Sequence, residues 1–106
     1  MSLKWPNKDP DEKLDYSIDW SRFLDGDTIS TVTWKIKDAD GVKQTWEPTL
    51  VVNGLQHISS SNTDTVATIQ IALGNANTNY DIFCQVLTGA SITTERRIVL
   101  KVREQK

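Results

Sequence analysis

From Leu14 onward the chain alternates. Leu14, Tyr16, Ile18 and Trp20 are large and apolar, while Asp15, Ser17 and Asp19 between them are polar. Successive side chains of an extended strand point to opposite faces. The pattern therefore predicts a strand over Leu14–Trp20 with one apolar face and one wet face. The same two-residue period returns further on. Thr28–Ile36 aligns Ser30, Val32, Trp34 and Ile36, and Thr65–Leu73 aligns Ala67, Ile69, Ile71 and Leu73. Tyr80–Leu87 aligns Tyr80, Ile82, Cys84 and Val86, and Ile92–Val102 ends on Ile98, Leu100 and Val102.

Turn chemistry separates these runs. Asp25-Gly-Asp27 and Gly74–Asn79 read as turns, and Asp38-Ala-Asp-Gly41 reads as a hairpin with Val42–Glu47 returning. Thr88-Gly-Ala-Ser91 reads as a second hairpin connection. Thr49–Ile58 is a further strand broken at Gly54 by a bulge or a turn, and Ser59–Asp64 reads as loop. The result is seven or eight strands and no helix, often spaced about 8–12 residues apart. That predicts an all-β fold: an immunoglobulin-like β-sandwich of about seven strands. Trp34 and Cys84 fit the comparison, but the second cysteine is absent, and Tyr80 precedes Cys84 by four residues, off the tyrosine-corner spacing.

Residues 1–13 carry no hydrophobic period. Pro6 and Pro10 extend the residues before them, and the charges do not favour packing. The expected division is an N-terminal arm at 1–13 and a sandwich domain at 14–106. On this reading, removing residues 1–12 leaves the fold intact.

A length of 106 residues implies one domain with a core large enough to need no disulfide or metal. Cys84 is the single cysteine, and no Cys/His set has zinc spacing. No apolar run follows a basic start, and none approaches a membrane span. The expectation is a protein made in a reducing cytoplasm, with no membrane insertion. The net charge of −2 gives no reason to expect nucleic acid as a partner. Its distribution is uneven. Residues 1–27 hold four basic and seven acidic side chains, and residues 95–106 hold five basic and two acidic. Such a domain can meet its own kind head to tail or dock between unlike partners. Plain solvent exposure of both segments is the simpler alternative.

Catalytic chemistry is hard to assemble. His57 is the only histidine, and Cys84 sits in an apolar strand register where burial raises a thiol's pKa. The five glycines are too scattered to cradle a phosphate. Asp38, Asp40, Gly41 and Glu47 partly match a calcium loop, but Ile36 stands where its first oxygen ligand belongs. No catalytic residue, metal or cofactor is expected. Asp9, Asp11, Glu12, Asp15 and Asp19 read first as a wet strand face, then as contacts for a basic partner, and last as a cation site. Of four tryptophans, Trp20 and Trp34 follow the core register, and Trp46 is ambiguous. Trp5 lies in the arm, outside any core the pattern predicts. It reads equally as a partner anchor or as a side chain folded back on its own domain, with sugar stacking a third option.

One run is more specific. Lys8-Asp-Pro-Asp-Glu-Lys-Leu-Asp-Tyr-Ser-Ile-Asp-Trp20, followed by Leu24-Asp-Gly-Asp-Thr-Ile29 and Trp34, resembles the opening of a family of small virion proteins. These belong to tailed bacteriophages and prophages and are described as fiber–tail adaptor or tail-associated structural proteins. Ala67-Thr-Ile69, Gly74, Thr78-Asn-Tyr80, Thr88-Gly89 and Thr94-Glu-Arg96 continue the resemblance in order. It implies a non-enzymatic virion component with a β-sandwich fold. Its partners are then other phage structural proteins, including copies of itself in a ring or head-to-tail oligomer. The candidate interface residues are Trp5, Asp9, Asp11, Asp15, Asp19, Glu95, Arg96 and Arg97. A carbohydrate-binding module using Trp5 or Trp46 on a host glycan is the alternative.

Overall fold

Strands with a two-residue period bury one face only, so they need a second sheet to cover it. The computed structural model describes residues 3–104 and supplies that pairing. The strands are β1 (Leu3–Lys4), β2 (Lys13–Asp19), β3 (Ile29–Lys37), β4 (Lys43–Thr45), β5 (Val51–Val52), β6 (Leu55–Asn62), β7 (Val66–Leu73), β8 (Thr78–Thr88) and β9 (Thr93–Val102). A one-turn helix, α1 (Ser21–Leu24), follows β2. One sheet has the order β1-β9-β8-β3-β4, and the other β2-β7-β6-β5. β2, β7 and β6 facing β3, β8 and β9 is the Greek-key arrangement of an immunoglobulin-like sandwich. Trp34 and Cys84 lie directly opposite each other in the β3–β8 ladder.

The core follows the alternation. Tyr16 and Ile18 of β2, and Trp20 just after it, are buried with Ala67, Ile69 and Ile71 of β7. Facing them are Trp34, Ile36, Tyr80, Ile82, Cys84, Val86, Ile98, Leu100 and Val102. Two exceptions have local causes. A register shift between Ile29 and Thr31 takes Ser30 out of the period, leaving it exposed while Ile29 is buried. Leu73 adopts φ 64° at the end of β7 and turns its side chain out to 50% exposure. Gly54 belongs to a tight turn: Asn53 and Gly54 both have positive φ, 48° and 84°, and join β5 to β6 as a two-residue hairpin. The bulge falls later, between His57 and Ser59, and β6 continues to Asn62 through residues expected as loop. Tyr80 lacks the tyrosine-corner spacing, yet its hydroxyl accepts from the Asn75 N–H at 2.9 Å and donates to the Asn53 carbonyl at 2.7 Å.

The N-terminal segment is not a free arm. β1 pairs in parallel with β9, and the Trp5 N–H donates to the Val99 carbonyl at 3.1 Å. Lys8 N–H donates to Lys101 O at 2.9 Å, and Arg103 N–H donates to Lys8 O at 2.8 Å. Trp5 is 7% exposed and stacks on Tyr16 at 4.6 Å between ring centres. Lys8 is fully buried, and its ammonium donates to the Leu73 carbonyl at 2.5 Å and the Asp9 carbonyl at 2.8 Å. Its pKa is held below the ordinary lysine value by burial, with Glu12, Asp9 and Asp11 acting in the opposite direction. The two sheets are thereby tied together at one end, through β9 and Leu73.

Trp5→Ala is expected to cost about 3–5 kcal/mol, the usual range for emptying a large aromatic site. Urea denaturation followed by circular dichroism measures it. Deleting residues 1–12 should destabilise further, because it removes Lys8 as well. An unchanged midpoint in either variant would restore the independent arm.

Candidate partner interface

Residues alternating with the core ones build the two outer faces. On the five-stranded sheet these include Lys35 and Lys37 of β3, Lys43 of β4, Asp81, Phe83, Gln85 and Leu87 of β8, and Glu95, Arg97 and Lys101 of β9. The Lys43 ammonium hydrogen-bonds Glu95, and Lys35 Nζ lies 3.8 Å from the same carboxylate. Arg97 grips Asp81 through Nε at 2.9 Å and Nη2 at 2.8 Å. Phe83 lies beneath Lys43, whose Nζ is 4.3 Å from the ring centre, with Lys37 at 5.9 Å. Each exposed pair is worth about 0–1 kcal/mol, so their main effect is to set the charge pattern. At the other end of this face, Thr31, Thr33, Gln85, Leu87 and Thr93 line a shallow hollow of about 270 Å³.

The sequence places Glu95, Arg96 and Arg97 together; the sheet separates them. Glu95 and Arg97 face outward, whereas Arg96 stands on the other side of β9, opposite Cys84. Its guanidinium lies 4.3 Å from the Trp20 ring centre. The neighbouring Cys84 thiol is pushed up to about 12, chiefly by burial. Arg96 thus covers the core at its open edge.

The acidic candidates form a different surface. Asp15 and Asp19 are exposed on the outer face of the four-stranded sheet, flanking a Ser17–Thr68 hydroxyl bond of 2.9 Å. Asp19 also accepts the Ser21 N–H at 2.9 Å, a bond that holds its carboxyl below the usual range and starts α1. Asp9 and Glu12 close a turn: Glu12 N–H donates to Asp9 O at 3.0 Å, and Asp9 N–H donates to Glu12 Oε1 at 2.8 Å. Asp11 N–H donates to the Asp9 carboxylate at 2.9 Å, leaving the Asp11 side chain exposed.

Trp5 does not belong to either surface. Its position in the core overturns its reading as a side chain left outside, because one large aromatic can seal the sandwich without any periodic signal. Trp46 is also buried, with its indole N–H donating to Leu50 O at 3.0 Å. Neither offers an open ring face to a sugar. Sequence reasoning missed Lys35, Lys37, Lys43, Phe83 and Asp81. Their signal was the outward register of β3, β4 and β8, which becomes a surface only once strand order is known.

The remaining chemistry is dispersed. His57 Nδ1 sits 2.7 Å from the Trp46 carbonyl, and burial holds its pKa below the ordinary value. No hydrogen bond among the described residues joins it to Cys84. The Asp38 carboxylate accepts Asp40 N–H at 2.9 Å and Val42 N–H at 3.0 Å, so it is engaged by its own hairpin. Among the described residues, no group of three or more His, Cys, Asp or Glu side chains could hold a metal ion.

Residues 8–101 match the family described as podophage GP4 fiber-tail adaptor protein gp77. The match spans both sheets and both charged surfaces. No curated protein matches the chain.

His57 sets an acid limit on the scaffold that carries these surfaces. Near neutral pH the ring is uncharged in the folded and unfolded chains. As pH falls through the unfolded value of about 6.5, the unfolded chain takes up a proton that the buried ring resists. Stability is therefore present above that value and declines below it. His57→Gln should be less stable than the wild type at pH 7, and the gap should narrow toward pH 5. Urea midpoints at the two pH values check this; a constant gap would remove His57 from the acid response.

Proposed function

We propose, from the fact that the chain belongs to the podophage GP4 fiber-tail adaptor protein gp77 family, that it is a non-enzymatic assembly module of a phage or prophage virion. The family makes it a structural adaptor and a virion component. In our reading it acts in the tail or head–tail region, after synthesis in the host cytoplasm. It joins other phage structural proteins, and copies of itself, through outward-facing charged side chains.

The family match over residues 8–101 carries this reading. Two features support it. The groups with nucleophilic or acid–base potential, Cys84 and His57, are spent inside the sandwich, where burial shifts both away from reactivity. The outer face of the five-stranded sheet is a rigid, charged platform of the kind that sets specificity between proteins. The glycan-binding alternative loses both of its aromatic platforms to the core. None of the described helices is long and apolar enough to cross a membrane.

The test uses the phage or prophage that encodes the chain. Mass spectrometry of purified virions should detect it, and the immobilised protein should retain at least one tail or fiber protein from the same genome. Its absence from virions, or retention of none of these proteins, would refute the adaptor reading.

A further inference from the structure

We infer that copies of this chain bind head to tail, the basic patch on the five-stranded sheet of one copy meeting the acidic segment around β2 of the next. This rests on the adaptor reading for its biological setting, but its evidence is separate. The basic patch holds Lys35, Lys37, Lys43, Arg97 and Lys101, with Asp81 and Glu95 as its acids, a net +3. Both acids are already ion-paired within the patch, so the surplus faces outward. Residues 8–19 hold Asp9, Asp11, Glu12, Asp15 and Asp19 against Lys8 and Lys13, a net −3. The Lys8 ammonium is buried under the turn, leaving the acidic side chains of Asp11 and Asp15 at the surface.

The sign of each patch decides the symmetry. A two-fold contact can pair unlike patches only where both lie on one face. The basic patch and the Asp15 and Asp19 side chains lie on the outer faces of opposite sheets, so a two-fold contact through either face brings like charges together. Only the unlike pairing is complementary, and it joins different surfaces on different sheets. Such a heterologous contact leaves one unused patch at each end of a pair, so it propagates to a ring or a filament. Half-buried Val99 lies among the basic side chains and gives the contact a little apolar area, while Phe83 is already covered by Lys43 and Lys37. Charge supplies most of the recognition, so salt at a Debye length well below about 8 Å should weaken it.

Sedimentation velocity over a concentration series, at low and high salt, tests the contact. The wild type should self-associate at low salt and dissociate at high salt. Lys37→Glu with Lys101→Glu should weaken association by at least about tenfold, as should Asp11→Lys with Asp15→Lys. None of these four side chains lies in the core. All four substitutions in one chain restore complementarity and should recover association. Circular dichroism confirms that each variant is folded. A wild type that stays monomeric at low salt overturns the inference, as does failure of the fourfold variant to recover. A monomer that still retains its tail partner leaves the adaptor reading standing and removes only this contact. Association without any retained partner does the reverse.

Discussion

The space between the sheets is the constraint on which this molecule depends. Facing sheets sit about 10 Å apart, and a short chain must fill that gap with few, large side chains. All four tryptophans are used for it: Trp5, Trp20, Trp34 and Trp46 are each 7% exposed or less. Trp5, Tyr16 and Trp34 form one run of neighbouring rings. A tryptophan-rich small protein invites a search for an aromatic binding platform. Here the aromatics are consumed by folding, and the outer faces carry charged side chains instead.

The division of labour follows from the two-residue period itself. Each strand that sends a core residue inward must send its neighbour outward. Cys84 and Phe83 illustrate it: Cys84 is sealed against Trp34, while Phe83 lies on the opposite face under Lys43 and Lys37. β9 shows the same separation in charge, since Arg96 guards Trp20 while Glu95 and Arg97 join the outer network. A shift of β9 by one residue would exchange these roles and expose its core positions. The core register therefore fixes the adaptor's charge pattern.

Much of this was legible beforehand. Periodicity identified the sandwich, the main strands and most of the core, because Tyr16, Ile69, Ile82 and Leu100 repeat at the strand period. The family's opening motif was also readable, from Lys8 through Trp34. What escaped lay where the signal is not periodic. Trp5 and Lys8 are single residues that act through contacts distant in sequence, with Val99, Tyr16 and Leu73. α1 is one turn long, too short for an amphipathic repeat. The basic patch draws on β3, β4 and β9, which come together only through the strand order, so no local window contains it. Charge counted along the sequence detected the imbalance between the ends but not the lysines of β3 and β4 that complete the patch.

The parallel pairing of β1 with β9 also has a mechanical meaning. From Trp5 to Lys8 the N-terminal segment runs along β9 and is bonded to Val99, Lys101 and Arg103 across the strand direction. A pull along that axis, with the two segments drawn opposite ways, loads these bonds together in shear. They do not open one after another as they would in an unzipping hairpin, and the buried Lys8 ammonium adds a tie to the second sheet. This corner of the fold therefore resists a pull applied between the N-terminal segment and β9.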